Sequence, residues 1–225
     1  MNDEHPRFPE EFCETVSETT SLAVFRVLRR AREVGYLGPG QLAPHLAHAC
    51  AFVTARAAVA EEPPIFGVDL GSGAGLPGLI LAVLWPTSRW ILIDSSERRC
   101  STLRDSVEEL DVSDRVEVLR GRAEEVGRLH AFRAQADLVV ARGFASPPIT
   151  AECAAPFLSV GGLLVVSDPP ESSGARWDVA GLAKLQMRLA HTTNSPFSFS
   201  VIRQDALCAA LYARPVGTPK KRPIW

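Results

Sequence analysis

A doubly wound α/β domain preceded by helices is the fold class this sequence predicts, and three observations predict it. Five short, β-branched and nearly continuous apolar runs alternate with helical patterns from Ile65 onward. Such runs are strands buried on both faces of a parallel sheet, and strand alternating with helix implies right-handed crossovers. A dense glycine run follows the first strand, at the edge where such sheets bind ligands. Two further alternating runs close the chain as an antiparallel pair.

The elements follow in order. Across residues 8–34, apolar side chains recur at helical spacing (Phe8, Phe12, Val16, Val24, Val27, Leu28, Ala31, Val34), which predicts one amphipathic helix. Gly35, Gly38, Pro39 and Gly40 break it, and a second helix is expected over 41–60, before Pro63-Pro64. Strands are expected at 65–70, 89–94, 116–119, 136–142 and 162–167. Helical patterns separate them at 76–84 and 97–110, in a shorter stretch after Arg122, and from Pro147-Pro148, whose fixed φ suits a first helical turn. A helix near 175–190 then precedes the closing runs, 197–203 and 206–214, joined by the turn Gln204-Asp205. Seven strands ending in an antiparallel hairpin is the plan of class I methyltransferases, a Rossmann-like sheet. Three parts result: a helical segment over 1–62, a ligand-binding domain over 63–214, and a basic tail over 215–225 with Lys220, Lys221 and Arg222.

Composition narrows the function. The 225 residues are 46% hydrophobic and 22% charged, which is globular rather than disordered, and the net charge of −2 does not announce nucleic-acid binding. No run approaches the roughly 18 apolar residues of a membrane span. Six acids against one Arg in the first twenty residues have the wrong sign for a secretory or transit peptide. The five cysteines, at 13, 50, 100, 153 and 208, form no CxxC pair, so a reducing cytoplasm with neither metal nor membrane partner is expected.

Asp69-Leu-Gly71-Ser72-Gly73-Ala-Gly75-Leu76-Pro77-Gly78 is the densest signal. A buried strand turns through glycines into a helix, exposing backbone N–H groups and a positive helix end. Two ligands compete. Gly73-x-Gly75-x-x-Gly78, with Asp94 further on, matches the dinucleotide fingerprint. Yet the glycines begin one turn earlier than that fingerprint does, and an acid two residues before the first glycine suits the amino group and sulfonium of S-adenosylmethionine (SAM). The loop from Asp69 through Gly71, Ser72, Gly73 and Gly75 is therefore assigned to SAM. Asp94, ending the second strand, can accept both ribose hydroxyls with support from Ser95; the plainer alternative is a cap for the next helix. Ala123 and Glu124, after the third strand, stand where adenine lies in this architecture, or Glu124 is simply a first-turn helix acid.

These residues, with Ile93-Asp94-Ser95, Arg122-Ala-Glu-Glu125, Ala141-Arg142-Gly-Phe-Ala-Ser146 and Gly217-Thr-Pro-Lys-Lys-Arg-Pro-Ile224, carry a family resemblance. Together they resemble the bacterial small-subunit ribosomal RNA guanine-N7 methyltransferases, formerly called glucose-inhibited division protein B. Gly35-Tyr-Leu-Gly-Pro-Gly40 and His45-Leu-Ala-His-Ala-Cys50 are faintly similar to that family's amino-terminal helical segment. The resemblance implies SAM contacts at Gly71, Leu76, Asp94, Ala123, Glu124 and Arg142, and ribosomal RNA or a small-subunit particle as partner. The chain departs from the family at three places. The Asn-rich run between the first two helices is missing, Gly143 replaces an alanine, and Ser167-Asp168-Pro169-Pro170-Glu171 stands where the family's fifth strand ends in Lys-Gly. Losing a cation and gaining two acids at the rim is expected to weaken a grip on RNA phosphate.

Guanine N7 is a lone-pair nucleophile with no proton to remove, so its methylation needs orientation rather than a general base. No His or Cys lies in the loops after the first four strands, which agrees. Arg142 is the candidate catalytic residue: it can bind guanine O6, hold a phosphate, or pair with an acid such as Asp69. Phe144 can stack on a base or belong to the core. Arg29, Arg30, Arg32 and the basic tail are candidates for RNA contact, or a solvated helix face. Two alternatives stay open: a methyltransferase of a small molecule or protein, and a catalytically weak SAM-binding paralogue.

Overall fold

Along each central strand the apolar side chains fall into two alternating sets, and each set meets its own layer of helices. The computed structural model describes residues 9–170, 172, 175–208 and 211. One sheet holds β1 (Phe66–Leu70), β2 (Arg89–Asp94), β3 (Val116–Arg120), β4 (Ala136–Arg142), β5 (Leu158–Ser167), β6 (Met187–Thr193) and β7 (Phe199–Gln204), in the order β3-β2-β1-β4-β5-β7-β6. β1 to β5 are parallel, β7 runs antiparallel to β5, and β6 antiparallel to β7. Trp90, Leu92, Leu138, Val140, Leu163 and Val165 face one core. Their chain neighbours Ile91, Ile93, Val139, Leu164 and Val166 face the other, as the two-residue period of a strand requires.

The first core is closed by α1 (Glu10–Thr15), α2 (Glu18–Glu33), α3 (Ala43–Ala57), α4 (Gly78–Leu84) and α5 (Glu97–Glu109). The second is closed by α6 (Ala123–Val126), α7 (Pro147–Ala154) and α8 (Val179–Lys184). The amino-terminal helices thus share a core with the sheet: Leu28, Leu46, Ala49 and Phe52 are fully buried in it. That packing carries α3 across one face and leaves its side chains beside the carboxyl ends of β4 and β5.

Three expectations need correction. The single first helix is two, because Val16 is extended and the Ser17 hydroxyl accepts from the Thr20 N–H, capping a new helix. The helix expected near 175–190 is short: Asp178 caps it by accepting from the Gly181 N–H, it ends at Lys184, and Gln186, at φ 59°, turns the chain into β6. Consequently the antiparallel hairpin is β6–β7; of the strand expected over 206–214, the described residues 206–208 and 211 form no part of it, and the others lie outside the described residues. β7 already has β5 and β6 on its two edges, and the buried Gln204 amide donates to the Leu185 and Ala206 carbonyls, tying off the strand end. The basic tail and Glu171 lie outside the described residues. Among the described residues no helix is long and apolar enough to cross a membrane.

Candidate functional site

The strand order reverses between β1 and β4, so the crevice outside the carboxyl end of β1 is where such a sheet binds a ligand. The glycine loop lies there and is fixed by backbone bonds: the N–H groups of Gly71 and Ser72 both donate to the Ile93 carbonyl, at 2.8 and 2.9 Å. Gly71 has φ +71° and Gly73 φ +54°, conformations that glycine adopts without strain. Beside the loop opens a cleft of about 210 Å³. Gly71, Asp94, Ser95, Ala123 and Glu124 of the sequence-derived set line it, and Arg99, Arg122, Gly143 and Phe144 join them.

The remaining loop residues, and Arg142, do not line the cleft, although the partly exposed Gly73 is bonded to Asp94, which does. Ser72, Gly75 and Leu76 are buried, and Ser72 Oγ donates to the Asp69 carbonyl. Asp69 is fully buried and accepts from the Gly78 N–H at 3.0 Å, which pins the start of α4 two residues later than expected from the sequence. Burial pushes its carboxyl up to about 7, and its Oδ1 has no partner among the described residues. Asp94 works as a junction. Its Oδ2 accepts from the Gly73 N–H at 3.0 Å, its Oδ1 accepts from the Ser96 N–H at 2.9 Å, and Arg99 lies 3.5 Å away. Ser96, not Asp94, caps α5. A carboxylate has about four acceptor positions; two backbone N–H groups take two of them, and Arg99 stands against Oδ2 at ion-pair distance. Glu124 is buried and held by Arg122 at 2.7 Å.

The cleft fits the adenosine half of SAM in kind: a glycine floor, a strand-end carboxylate and a half-buried aromatic. Gly71 makes the floor possible, since a Cβ there would stand 2.8 Å from Phe144 Cδ2. Among the described residues no cluster of three or more His, Cys, Asp or Glu could hold a metal ion.

Arg142 ends β4 beside this cleft, half-buried; burial lowers its pKa from the ordinary arginine value, and the nearby Asp69 carboxylate opposes that shift. The two form no direct ion pair; instead Arg142 Nη2 donates to His45 Nδ1 at 3.1 Å. Nη1 is buried with no partner among the described residues. One turn along α3, His48 Nε2 lies 2.8 Å from Ser167 Oγ, and burial with the nearby Arg142 charge lowers its pKa to about 4.

Neither histidine has a site role expected from the sequence, where their segment stands out only by its faint family similarity: both come from α3, far upstream of the strand-end loops. Their i, i+3 spacing, which puts His45 and His48 on one helix face, is a further signal.

The expected acidic rim is corrected at Asp168, Glu171 lying outside the described residues. Asp168 is buried and accepts from Ser200 Oγ, from Arg176 at 3.1 Å and from Trp177 Nε1 at 3.4 Å. Its charge is matched inside the fold, so it presents no bare carboxylate to a polyanion. Asp168→Ala is expected to lower unfolding free energy by about 2–3 kcal/mol, since it strands three donors around one buried site while Arg176 keeps partial access to water. Urea denaturation measures this. Of the candidate RNA contacts, Arg30 is paired with Glu109 at 2.8 Å, Arg32 donates to the Gly40 carbonyl, and Arg29 is exposed beside Glu33. Arg30 thus ties α2 to α5, and Arg32 ties α2 to the loop before α3.

Comparison with known proteins gives a consistent result. The family model described as rRNA small subunit methyltransferase G matches residues 42–168. A protein of that name from Leuconostoc citreum is 32% identical over 167 residues, covering 70% of this chain and 68% of the relative. One from Streptococcus gordonii is 34% identical over 164 residues, covering 70% and 69%. One from Prochlorococcus marinus strain NATL1A is 33% identical over 165 residues, covering 70% of this chain and 66% of the relative. Among solved structures, a methyltransferase from Geobacter sulfurreducens superposes with TM-score 0.59 at 15% identity, over 82% of this chain and 89% of that one. An O-methyltransferase from Streptomyces achromogenes, solved with SAM, gives TM-score 0.56 at 18% identity, over 85% and 91%. These two likenesses concern the fold.

Proposed function

The chain belongs to the rRNA small subunit methyltransferase G family, and from that membership we propose that it methylates N7 of a guanine in small-subunit ribosomal RNA. It is a SAM-dependent methyltransferase with the class I fold. The observation that carries the reading is positional: the matched segment, residues 42–168, contains every residue lining the cleft, together with His45, His48, Arg142 and Ser167.

Gly71, Asp94, Ser95, Ala123 and Glu124 would hold the adenosine part of SAM, with Asp94 on the ribose hydroxyls and the backbone near Ala123 and Glu124 on adenine. Asp69, Ser72, Gly73, Gly75 and Leu76 shape the loop beneath it. When bound, SAM supplies an electrophilic methyl group on a sulfonium. The chain's own task is then orientation. Guanine offers N7 and O6 on one edge as neighbouring acceptors. The guanidinium of Arg142, at the end of β4, can donate to O6 and leave N7 with its lone pair open, a directional role that a lysine ammonium fills poorly. With a net charge of −2, an assembled small-subunit particle is a better substrate than naked RNA, because ribosomal proteins share the contact. The cytoplasm is where such particles are found.

Small ribosomal subunits lacking the modification, incubated with labelled SAM and this protein, test the reading. Digestion to nucleosides is expected to give labelled 7-methylguanosine. A different labelled nucleoside, or label only in protein or small molecules, overturns it.

A further inference from the structure

We propose that His45 is a positioning residue for methyl transfer: its Nδ1 holds one amino group of Arg142 and so fixes the guanidinium at the end of β4, beside the cleft where the acceptor base would meet SAM. The inference rests on the reading of Arg142 as the orienting group, and it assigns that orientation to α3, an element outside the strand-and-loop frame.

The geometry is specific about protons. A guanidinium only donates, so at 3.1 Å from Arg142 Nη2 the His45 Nδ1 must present a lone pair. The ring is therefore neutral, with its proton on Nε2. His45 itself cannot drift, because Leu46 and Ala49 on the same helix are fully buried in the core beneath it. His48 braces the helix one turn on: its ring meets Phe52, Phe197 and Phe199, with centroids 5.8, 4.9 and 5.4 Å away, and Nε2 meets Ser167 Oγ. Ser167 is the residue paired with Arg142 across β4 and β5, so both strand ends are clasped by one helix face. A long, flexible side chain is thus fixed at one amino group while its second, buried amino group has no partner among the described residues. Fixing a reactant-contacting group in advance removes an orientation cost from the reaction.

The arrangement has a pH sense. His45 faces Arg142 from β4, His48 from its own helix, and the Gly38 backbone from the preceding loop, while Asp69 of β1 acts on Arg142. Burial first, and then the Arg142 charge, hold the ring below the ordinary 6.5; a hydrogen bond with the Gly38 backbone opposes them. Protonation of Nδ1 destroys the acceptor. Orientation is therefore intact at neutral pH and lost as pH falls through the His45 pKa, below 6.5. His48 titrates lower still, near 4.

Single-turnover methylation of small subunits by the full chain provides the test. Arg142→Lys is expected to slow transfer at least about tenfold. His45→Ala is expected to slow it at least about fivefold with SAM affinity and melting temperature near those of the parent, and the double variant to be no slower than Arg142→Lys alone. His45→Asn, whose carbonyl oxygen can replace Nδ1 as acceptor but does not titrate, is expected to recover most of the rate and to flatten the acid limb. Independently of turnover, the His45 ring followed by NMR in the protein alone is expected to titrate higher in Arg142→Gln than in the parent. Additive losses in the double variant, an unmoved His45 titration, or a rate that simply tracks a lowered melting temperature overturns the inference. A normal rate for Arg142→Lys instead removes the orienting reading itself, whereas a slow Arg142→Lys beside a normal His45→Ala removes only the role of His45.

Discussion

Asp94→Ala is expected to weaken SAM binding by about 1–3 kcal/mol, roughly five- to hundredfold in dissociation constant, and to destabilise the protein without ligand as well. The two losses share one cause. Asp94 is 4% exposed, and its two oxygens accept from the Gly73 and Ser96 N–H groups, so the carboxylate ties the glycine loop to the start of α5 before any ribose arrives. Truncation leaves two backbone donors without their acceptor. At about 1 kcal/mol each, this lowers the melting temperature by roughly 4–8 °C for a chain of this size. Asp94→Asn separates the effects. Its amide has one acceptor oxygen, so it can satisfy one of the two N–H groups while placing a donor against the other, and volume is kept. Calorimetric titration with SAM, paired with thermal unfolding of the same samples, reads both quantities. Parent-like SAM affinity in a folded Asp94→Ala variant would remove this carboxylate from the cofactor site.

The parts of the fold that were legible in the sequence are those decided by local pattern. β2 and β4 lie where their apolar runs end, because each run is buried on both faces and bounded by residues that cannot continue it. The misplaced hairpin shows the limit. Residues 187–193 alternate only weakly, and 206–214 alternate well, yet pairing is decided by which edge of β7 is free, and that is a property of the assembled sheet. The site divides in the same way. Gly71 and Asp94 announce themselves by position after a strand, whereas the partner of Arg142 depends on α3 crossing a sheet whose strand lies 97 residues further along the chain. Asp168 illustrates the converse error: two acids in a row of five residues look like a charged rim, but one of them is consumed by Arg176, Trp177 and Ser200 inside the fold.

Gly71→Val is expected to abolish SAM binding, raising the dissociation constant by at least about a hundredfold, while the protein still folds. Among the loop glycines the structure gives this one two independent reasons. Its φ is +71°, a region that a β-branched residue enters only at a cost of about 1–3 kcal/mol. A Cβ there would also stand 2.8 Å from Phe144 Cδ2, at the floor of the cleft. The backbone cannot retreat, because the Gly71 and Ser72 N–H groups are both bound to the Ile93 carbonyl. Phe144 must move instead, and it lines the same cleft. Gly73 differs: its φ is +54°, but an added Cβ would find only the Gly71 carbonyl oxygen, at an unstrained 3.6 Å. Gly73→Asn, a residue that tolerates left-handed backbone, is therefore expected to bind SAM much more tightly than Gly71→Val does. The steric part can be isolated by pairing Gly71→Ala with Phe144→Ala. If the ring is the obstacle, the double variant binds better than Gly71→Ala alone; if backbone strain dominates, it does not. Calorimetry on folded protein, with circular dichroism as the control for structure, measures all four, and parent-like affinity in Gly71→Val would mean that SAM binds elsewhere than in this cleft.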